Sequence, residues 1–395
     1  MPLIQQLEQI RSQLAPILKE RDDLFPKRDP QNTARMNELV GAYVDAVTRI
    51  QRSESNWSPD ETLIREAASM AERPAFICGY MKSGTTFLTS LLDGHPEVTA
   101  LPGDSRMVYR IRTRRDVEYT QRIRQQRDYW LGRFINPRGQ KPFWFLGTDD
   151  RAYVEFAHYL SHWLDHLPQR DRSPFLAVVL TLHCANPARA SQPKIWVEKT
   201  TGNEMRVSEI LKLFPAARFI HIVRDPMALA ASVKRFYRHR GREWHQGLPG
   251  AMRYILAKVA WRVSGRRTRI SVSKGPLPVT LDMYRSFRAA AVNQDQLGPE
   301  RYHVLRYEDL ITDPEAETRK LASFLEVEWD ASLLTPTSNG RPTASNSMYD
   351  DRRPARGQIL TQRSKRWRKE LSRYEQRIIR FGLRRIAKKW GYDLE

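Results

Sequence analysis

Apolar residues recur at spacings of three and four through the first seventy positions, as Leu3, Leu7, Ile10, Leu14 and Leu18, and again as Met36, Leu39, Val40, Tyr43 and Val47. Pro26, Pro30 and Pro59 punctuate the run, and Ser58-Pro59-Asp60-Glu61 suits a capped start, so two or three helices are predicted before Glu72. The pattern then shifts. Ala75–Cys78 is a short apolar run suited to a central strand. Gly79, Lys82, Ser83 and Gly84 interrupt it, and Thr85, Thr86, Phe87, Leu88, Leu91 and Leu92 restart it with helical spacing. Ile195–Lys199 repeats the pattern, running into Thr200-Thr201-Gly202 and a helix over Val207–Phe214 that Pro215 ends. Arg218–Val223 empties into Arg224-Asp225-Pro226, with Pro226 in the first turn of the next helix. Tyr302–Tyr307 gives a further strand, and Pro314–Leu325 a capped helix.

Strand, loop, helix in repeated order predicts an α/β fold: three layers, α/β/α, around a central parallel sheet. A helical segment over 1–72 precedes this unit, which is expected to occupy 73–395. Asp93–Val98 reads as a helix stop and turn leading into Leu101–Arg106. Arg110–Arg133 and Tyr153–Leu167 read as helices, Asn136–Gln140 as a loop, Thr335–Gly357 as a surface loop, and Ser372–Trp390 as a closing basic helix.

Composition narrows the picture modestly. Lys and Arg number 66 against 45 Asp and Glu, a formal charge of +21, which makes the surface attractive to anions without choosing among them. Cys78 and Cys184 are the two cysteines, so no disulfide framework is implied. The first residues lack a basic stretch followed by an apolar run, so no cleaved signal is expected. Phe175–Leu182, the longest apolar stretch, falls far short of the roughly 20 residues a membrane span needs. A soluble, cytoplasmic protein without a transmembrane segment is the expectation.

The glycine-bracketed turn Gly79–Gly84 places backbone N–H groups, a helix N-terminus and the Lys82 ammonium around one spot, the arrangement a phosphate needs. Gly79 and Gly84 keep the spacing of the nucleotide-triphosphate loop, but Thr85 stands where that loop has its lysine. The order Gly79-Tyr80-Met81-Lys82-Ser83-Gly84-Thr85-Thr86-Phe87 instead resembles the 5'-phosphosulfate loop of sulfotransferases that use 3'-phosphoadenylylsulfate (PAPS). Met81 replaces the usual proline and Phe87 the usual tryptophan. Arg224 at a strand end, with Ser232 eight residues on, resembles the 3'-phosphate motif of the same family.

The resemblance extends over roughly Ala75–Tyr392. It implies nucleotide binding by Lys82, Ser83, Gly84, Thr85, Thr86, Arg224, Ser232 and Tyr307, with Ser364 and Lys365 in a late basic loop that closes over the nucleotide. It also implies a catalytic role for Lys82 and for Lys199, the strand-end lysine beside the transferring group. His95-Pro96-Glu97-Val98 followed by Asp104-Ser105-Arg106 resembles a run in protein-tyrosine sulfotransferases, with Asp104 standing where their catalytic glutamate stands. Asp104 is one methylene shorter and its loop one residue longer, so Glu97 and His95 stay open as bases for deprotonating the acceptor. No metal is implied.

The resulting expectation is transfer of a sulfuryl group from PAPS to a hydroxyl of a glycan, glycolipid, phenol, tyrosine or small metabolite. No nucleic acid partner is expected. The alternatives are a nucleotide kinase or NTPase, and a basic anion-binding protein. Met107–Lys141 and Tyr153–Ala185 carry no motif that names the acceptor. The cations crowded between Lys234 and Lys274 suggest an anionic one, or else a solvated basic surface.

Overall fold

The computed structural model describes residues 3–23, 30–107, 119–135, 144–239, 244, 275–343, 355–361 and 366–394. Three helices open the chain, α1 (Leu3–Asp23), α2 (Pro30–Ser53) and α3 (Glu61–Met70), and Asp60 caps α3 by accepting from the N–H groups of Thr62 and Leu63. Next come β1 (Pro74–Cys78), α4 (Thr85–Leu92), β2 (Val98–Asp104), α5 (Tyr119–Ile135), α6 (Asp150–His166) and α7 (Ser173–Ala185). The βα alternation resumes with β3 (Ile195–Lys199), α8 (Val207–Leu213), β4 (Arg218–Val223), α9 (Pro226–His239), α10 (Pro276–Leu297) and β5 (Tyr302–Arg306). Helices α11 (Tyr307–Thr312) and α12 (Pro314–Leu325), a short hairpin of β6 (Thr337–Ser338) and β7 (Arg341–Pro342), and helices α13 (Trp367–Glu370) and α14 (Arg373–Lys388) complete it.

The sheet is five-stranded and parallel in the order β2-β3-β1-β4-β5. Alternate residues of each strand serve opposite faces. Phe76, Cys78, Trp196, Phe219 and Tyr302 pack with the N-terminal helices, α6 and α7, whereas Ala75, Ile77, Val197, Ile220 and Leu305 pack with α4, α11 and α12. The first face is an aromatic layer, with Phe76 edge-on to Trp196 at 5.6 Å and stacked on Phe219 at 5.8 Å. A third cluster joins α9, α10 and α14 through Val233, Met283 and Leu383.

Because all five strands run the same way, the residues that follow them gather at one end of the sheet. The chain leaves β1 toward β2 and leaves β4 toward β5, in opposite directions across the sheet. The crevice of such a sheet therefore lies beyond β1 and β4, the place where open α/β sheets bind ligands.

Two expectations need correction. Val98–Asp104 is a strand rather than a turn and loop, and its pairing with β3 shifts register between Ala100 and Asp104, around Pro102 and Gly103. A proline and a glycine are tolerated because β2 lies at the sheet edge. Residues 337–342 are a hairpin and not an open surface loop: Thr337, Ser338 and Asn339 are buried, and the Thr337 hydroxyl donates to the Asp93 carbonyl at 2.6 Å.

Candidate active site

The turn between β1 and α4 is built by backbone conformations that few side chains accept. Gly79 has φ +137° and Gly84 φ +118°, and Lys82 itself lies in the left-handed region at +71°. A Cβ on Gly79 would sit 2.7 Å from the Ile222 carbonyl oxygen, and one on Gly84 2.6 Å from Cδ2 of Tyr307. Ser83 N–H closes the turn on the Tyr80 carbonyl at 3.0 Å. Beneath it, the buried Glu204 carboxylate accepts from Gly79 N–H at 3.1 Å and from the Ser286 hydroxyl at 2.8 Å. Burial lowers the neighbouring His221 to about 4, so this imidazole is neutral at physiological pH.

Arg224 leaves β4 and reaches back to the turn, donating to the Lys82 carbonyl at 3.0 Å while its guanidinium lies 4.2 Å from the centre of the Tyr307 ring. The Lys82 ammonium lies 5.4 Å from the ring centre of Phe236, one helical turn beyond the buried Ser232 on α9. Asp225 N–H is held at 3.1 Å by Glu308, whose other oxygen accepts from the Tyr392 hydroxyl at 2.5 Å. Lys82, Ser83, Gly84, Arg224, Ser232 and Tyr307 thus share one corner of the crevice. Ser83 Oγ and Arg224 Nε are buried there with no hydrogen-bond partner among the described residues. Unpaired donors beside two glycines that exclude side chains fit an anionic ligand such as a nucleotide phosphate.

A second group lies at the ends of β2 and β3, where register places Asp104 opposite Lys199. The Lys199 ammonium donates to Asp104 Oδ1 at 2.6 Å and to the Thr86 hydroxyl at 3.2 Å, tying this pair to the first turn of α4. Burial pushes the Asp104 carboxyl up, but the charges of Lys199, Arg133 and Arg106 outweigh it and hold the group below its ordinary value. Arg133 comes from α5 and donates to the Pro102 carbonyl at 3.2 Å.

Glu198 lies under this pair. One of its oxygens accepts from Ser105 N–H at 3.3 Å, from the Ser105 hydroxyl and from the Thr200 hydroxyl at 2.5 Å, and the other from the Asn203 amide at 2.8 Å. Burial raises its pKa against the pull of these donors. Thr200 Oγ1 in turn accepts from Arg106 N–H at 2.9 Å, so the ends of β2 and β3 are clamped together.

His95 and Glu97 lie before β2, at the opposite end of the strand from Asp104. His95 Nε2 meets the Glu328 carbonyl at 2.9 Å and its Nδ1 accepts from Glu97 N–H, while Glu97 accepts from Glu328 N–H at 2.9 Å and pairs with Lys194 at 2.6 Å. Both are spent fastening the segment after α12. Burial holds His95 below its ordinary pKa, and for Glu97 the Lys194 and Glu328 contacts outweigh burial to the same effect.

Ser364 and Lys365 lie outside the described residues, as does most of the basic run from 234 to 274. Of its first members, the Lys234 ammonium is buried at 2.9 Å from both oxygens of Glu375, and the exposed Arg238 pairs with Glu370. Local motifs could not reveal Arg133, Glu204 or the clamping role of Glu198, because their partners on other elements lie about 30 positions away for Arg133 and more than 80 for Glu204 and Glu198.

Among known proteins, the chain is 29% identical over 134 residues to the omega-hydroxy-beta-dihydromenaquinone-9 sulfotransferase Stf3 of Mycobacterium bovis, covering 33% of this chain and 29% of that one. An uncharacterised protein of Aquifex aeolicus is 22% identical over 334 residues, covering 81% of this chain and 35% of its own length. The chain spans about a third of the length of these curated relatives. Among solved structures, the sulfotransferase domain of an olefin synthase from Synechococcus PCC 7002 superposes with a TM-score of 0.45 at 17% identity, covering 82% of this chain and 96% of that domain. Residues 74–331, well over half of the chain and spanning every strand of the sheet, match the sulfotransferase family, and the chain belongs to that family.

Proposed function

We propose that the chain transfers a sulfuryl group from PAPS to a hydroxyl of an acceptor, with the two groups of side chains in the crevice dividing the work. The observation that carries this reading is the Lys199–Asp104 pair at 2.6 Å, joined through Thr86 to a glycine turn with unpaired buried donors. PAPS supplies an activated sulfuryl group, whose bond to the 5'-phosphate oxygen breaks as a bond to the acceptor oxygen forms. Lys82, the Ser83 hydroxyl, Thr85, Thr86 and the N–H groups after Gly84 hold the 5'-phosphate side and stabilise its departing oxygen. Arg224 and Ser232 hold the 3'-phosphate, with Tyr307 fixing the guanidinium plane. Ser364 and Lys365 keep the closing role that their motif implies.

Lys199 and Asp104 act on the transferring group. Lys199 neutralises the sulfuryl oxygens, and Asp104 takes the acceptor proton. Their pairing keeps Asp104 ionised and therefore able to accept a proton, at the expense of basicity. As the Lys199 charge is shared with sulfuryl oxygens its hold on Asp104 weakens, so basicity rises when it is needed. Glu198 does not reach the reacting atoms in this scheme; it positions both groups by clamping Ser105, Thr200 and Asn203.

The acceptor is a hydroxyl compound. The mycobacterial relative is named for a hydroxylated menaquinone, so lipid alcohols belong in the search beside phenols, tyrosyl peptides and glycans. The test is incubation of the chain with sulfur-labelled PAPS and each class of acceptor. Label transfer to one of them, abolished in Lys82→Ala, is expected; phosphate transfer from magnesium-ATP without any use of PAPS would contradict the proposal.

A further inference from the structure

Helix α14 presents a face that the proposed chemistry does not use. Between Arg373 and Lys389 the sequence has seven cations and a single acid, Glu375. Glu375, Ile379, Leu383 and Ala387 form the buried stripe of the helix. Helical spacing puts Tyr374, Arg377, Phe381, Arg384, Arg385 and Lys388 together on the opposite side. Phe381 is 90% exposed and Tyr374 52%, and Phe381 is the most exposed large hydrophobic side chain among the described residues. The ion pairs of this helix join Glu375 to Lys234 and Lys389 to Asp295. Arg377, Arg384, Arg385 and Lys388 make none among the described residues.

We infer that this face docks the protein on an anionic membrane surface, with the cations over lipid phosphates and the Phe381 and Tyr374 rings in the interfacial layer. Charge complementarity selects the occupant. Two copies of so basic a face repel each other, which rules against self-association through it. The convex side of one helix offers no cleft for a folded partner, whereas a bilayer surface takes both a sheet of cations and a protruding ring. The inner stripe is already used by the core, so insertion is limited to the two rings and the cations supply most of the attraction. Binding is therefore shallow, reversible and sensitive to salt.

Docking also bears on the site. The Lys234–Glu375 pair fixes α14 to α9 two residues from Ser232, so a docked α14 holds the nucleotide-binding helix beside the bilayer. The inference rests on the helix face alone and does not need the proposed activity.

Co-sedimentation of the full chain with vesicles of phosphatidylcholine, and of phosphatidylcholine mixed with phosphatidylglycerol, tests it. Association with the mixed vesicles only is expected, reversed at about 1 M salt, where the screening length falls to about 3 Å. With each cation near the surface contributing about fivefold, Arg377→Gln/Arg384→Gln/Arg385→Gln should weaken association roughly a hundredfold. Phe381→Ala should cost roughly tenfold, the effect of withdrawing a partly buried ring. Phe381→Trp should keep association and show a blue-shifted emission on vesicles. Adenosine 3',5'-bisphosphate binding should be the same in every variant, which confirms that each is folded. Absence of association with the mixed vesicles would overturn the inference. So would association indifferent to both the triple change and Phe381→Ala, or capture of DNA in place of vesicles.

Discussion

Replacing Gly84 by alanine adds one methyl group at the point where the two proposed nucleotide motifs meet. The new Cβ would lie 2.6 Å from Cδ2 of Tyr307 and 3.0 Å from Cδ1 of Ile222, at a backbone φ of +118°. The backbone alone costs about 1–3 kcal/mol for a residue with a side chain. Relieving the clash means moving the Tyr307 ring by roughly 1 Å to regain ordinary carbon contact. That ring carries the Arg224 guanidinium at 4.2 Å, and Arg224 donates to the Lys82 carbonyl at 3.0 Å, so the displacement reaches the anion-binding donors. Losing one well-placed charge-assisted phosphate contact is worth about 1.5–3 kcal/mol, or roughly ten- to a hundredfold in Kd. Calorimetric titration with adenosine 3',5'-bisphosphate should show that loss, with a lowered Tm. Tyr307→Ala removes the atom that clashes, so Gly84→Ala should cost less affinity in a Tyr307→Ala background than in the wild type. Wild-type affinity in Gly84→Ala, or costs that simply add in the double variant, would refute this reasoning.

Asp104→Asn should leave nucleotide affinity unchanged and lower kcat by roughly 10²–10⁴, the span of a general base, as measured by release of adenosine 3',5'-bisphosphate with the identified acceptor. In Lys199→Met the cation that holds the Asp104 pKa down is gone; that pKa rises, so the acidic limb of the kcat/KM profile should move to higher pH, and an unmoved limb would remove Asp104 from the base role. Lys234→Met leaves the fully buried Glu375 carboxylate without its cation and should destabilise the chain by about 3–5 kcal/mol in urea unfolding.

The sequence exposed those elements whose signals are local. β1, β3 and β4 are short, largely apolar runs that end at a polar turn, the helices after β1 and β4 begin at a glycine turn and at Pro226, and β5 runs straight into α11 at Tyr307. The fold class therefore followed from the βα alternation. β2 escaped because Pro102 and Gly103 argue against a strand, and only its edge position makes them acceptable. Lys82 and Arg224 stood out as candidates because each sits in a compact motif on a strand-to-helix turn. The choice among His95, Glu97 and Asp104 could not be made locally. Asp104 is the proposed base because of the end of β2 it occupies, while Glu328, more than 200 residues away, engages His95 and Glu97. Arg133, Glu198 and Glu204 likewise gain meaning only once the sheet sets β2 beside β3 and α10 beneath the glycine turn.

Nucleotide selectivity tests the assignment of the crevice most directly. Adenosine 3',5'-bisphosphate and 5'-AMP differ in the one phosphate assigned to Arg224 and Ser232. Calorimetry on the wild-type chain should give at least tenfold tighter binding of the bisphosphate, the worth of one charge-assisted contact at about 1.5 kcal/mol, and Arg224→Ala should erase most of that preference. Equal affinity for the two nucleotides, or a preference that survives Arg224→Ala, would contradict it.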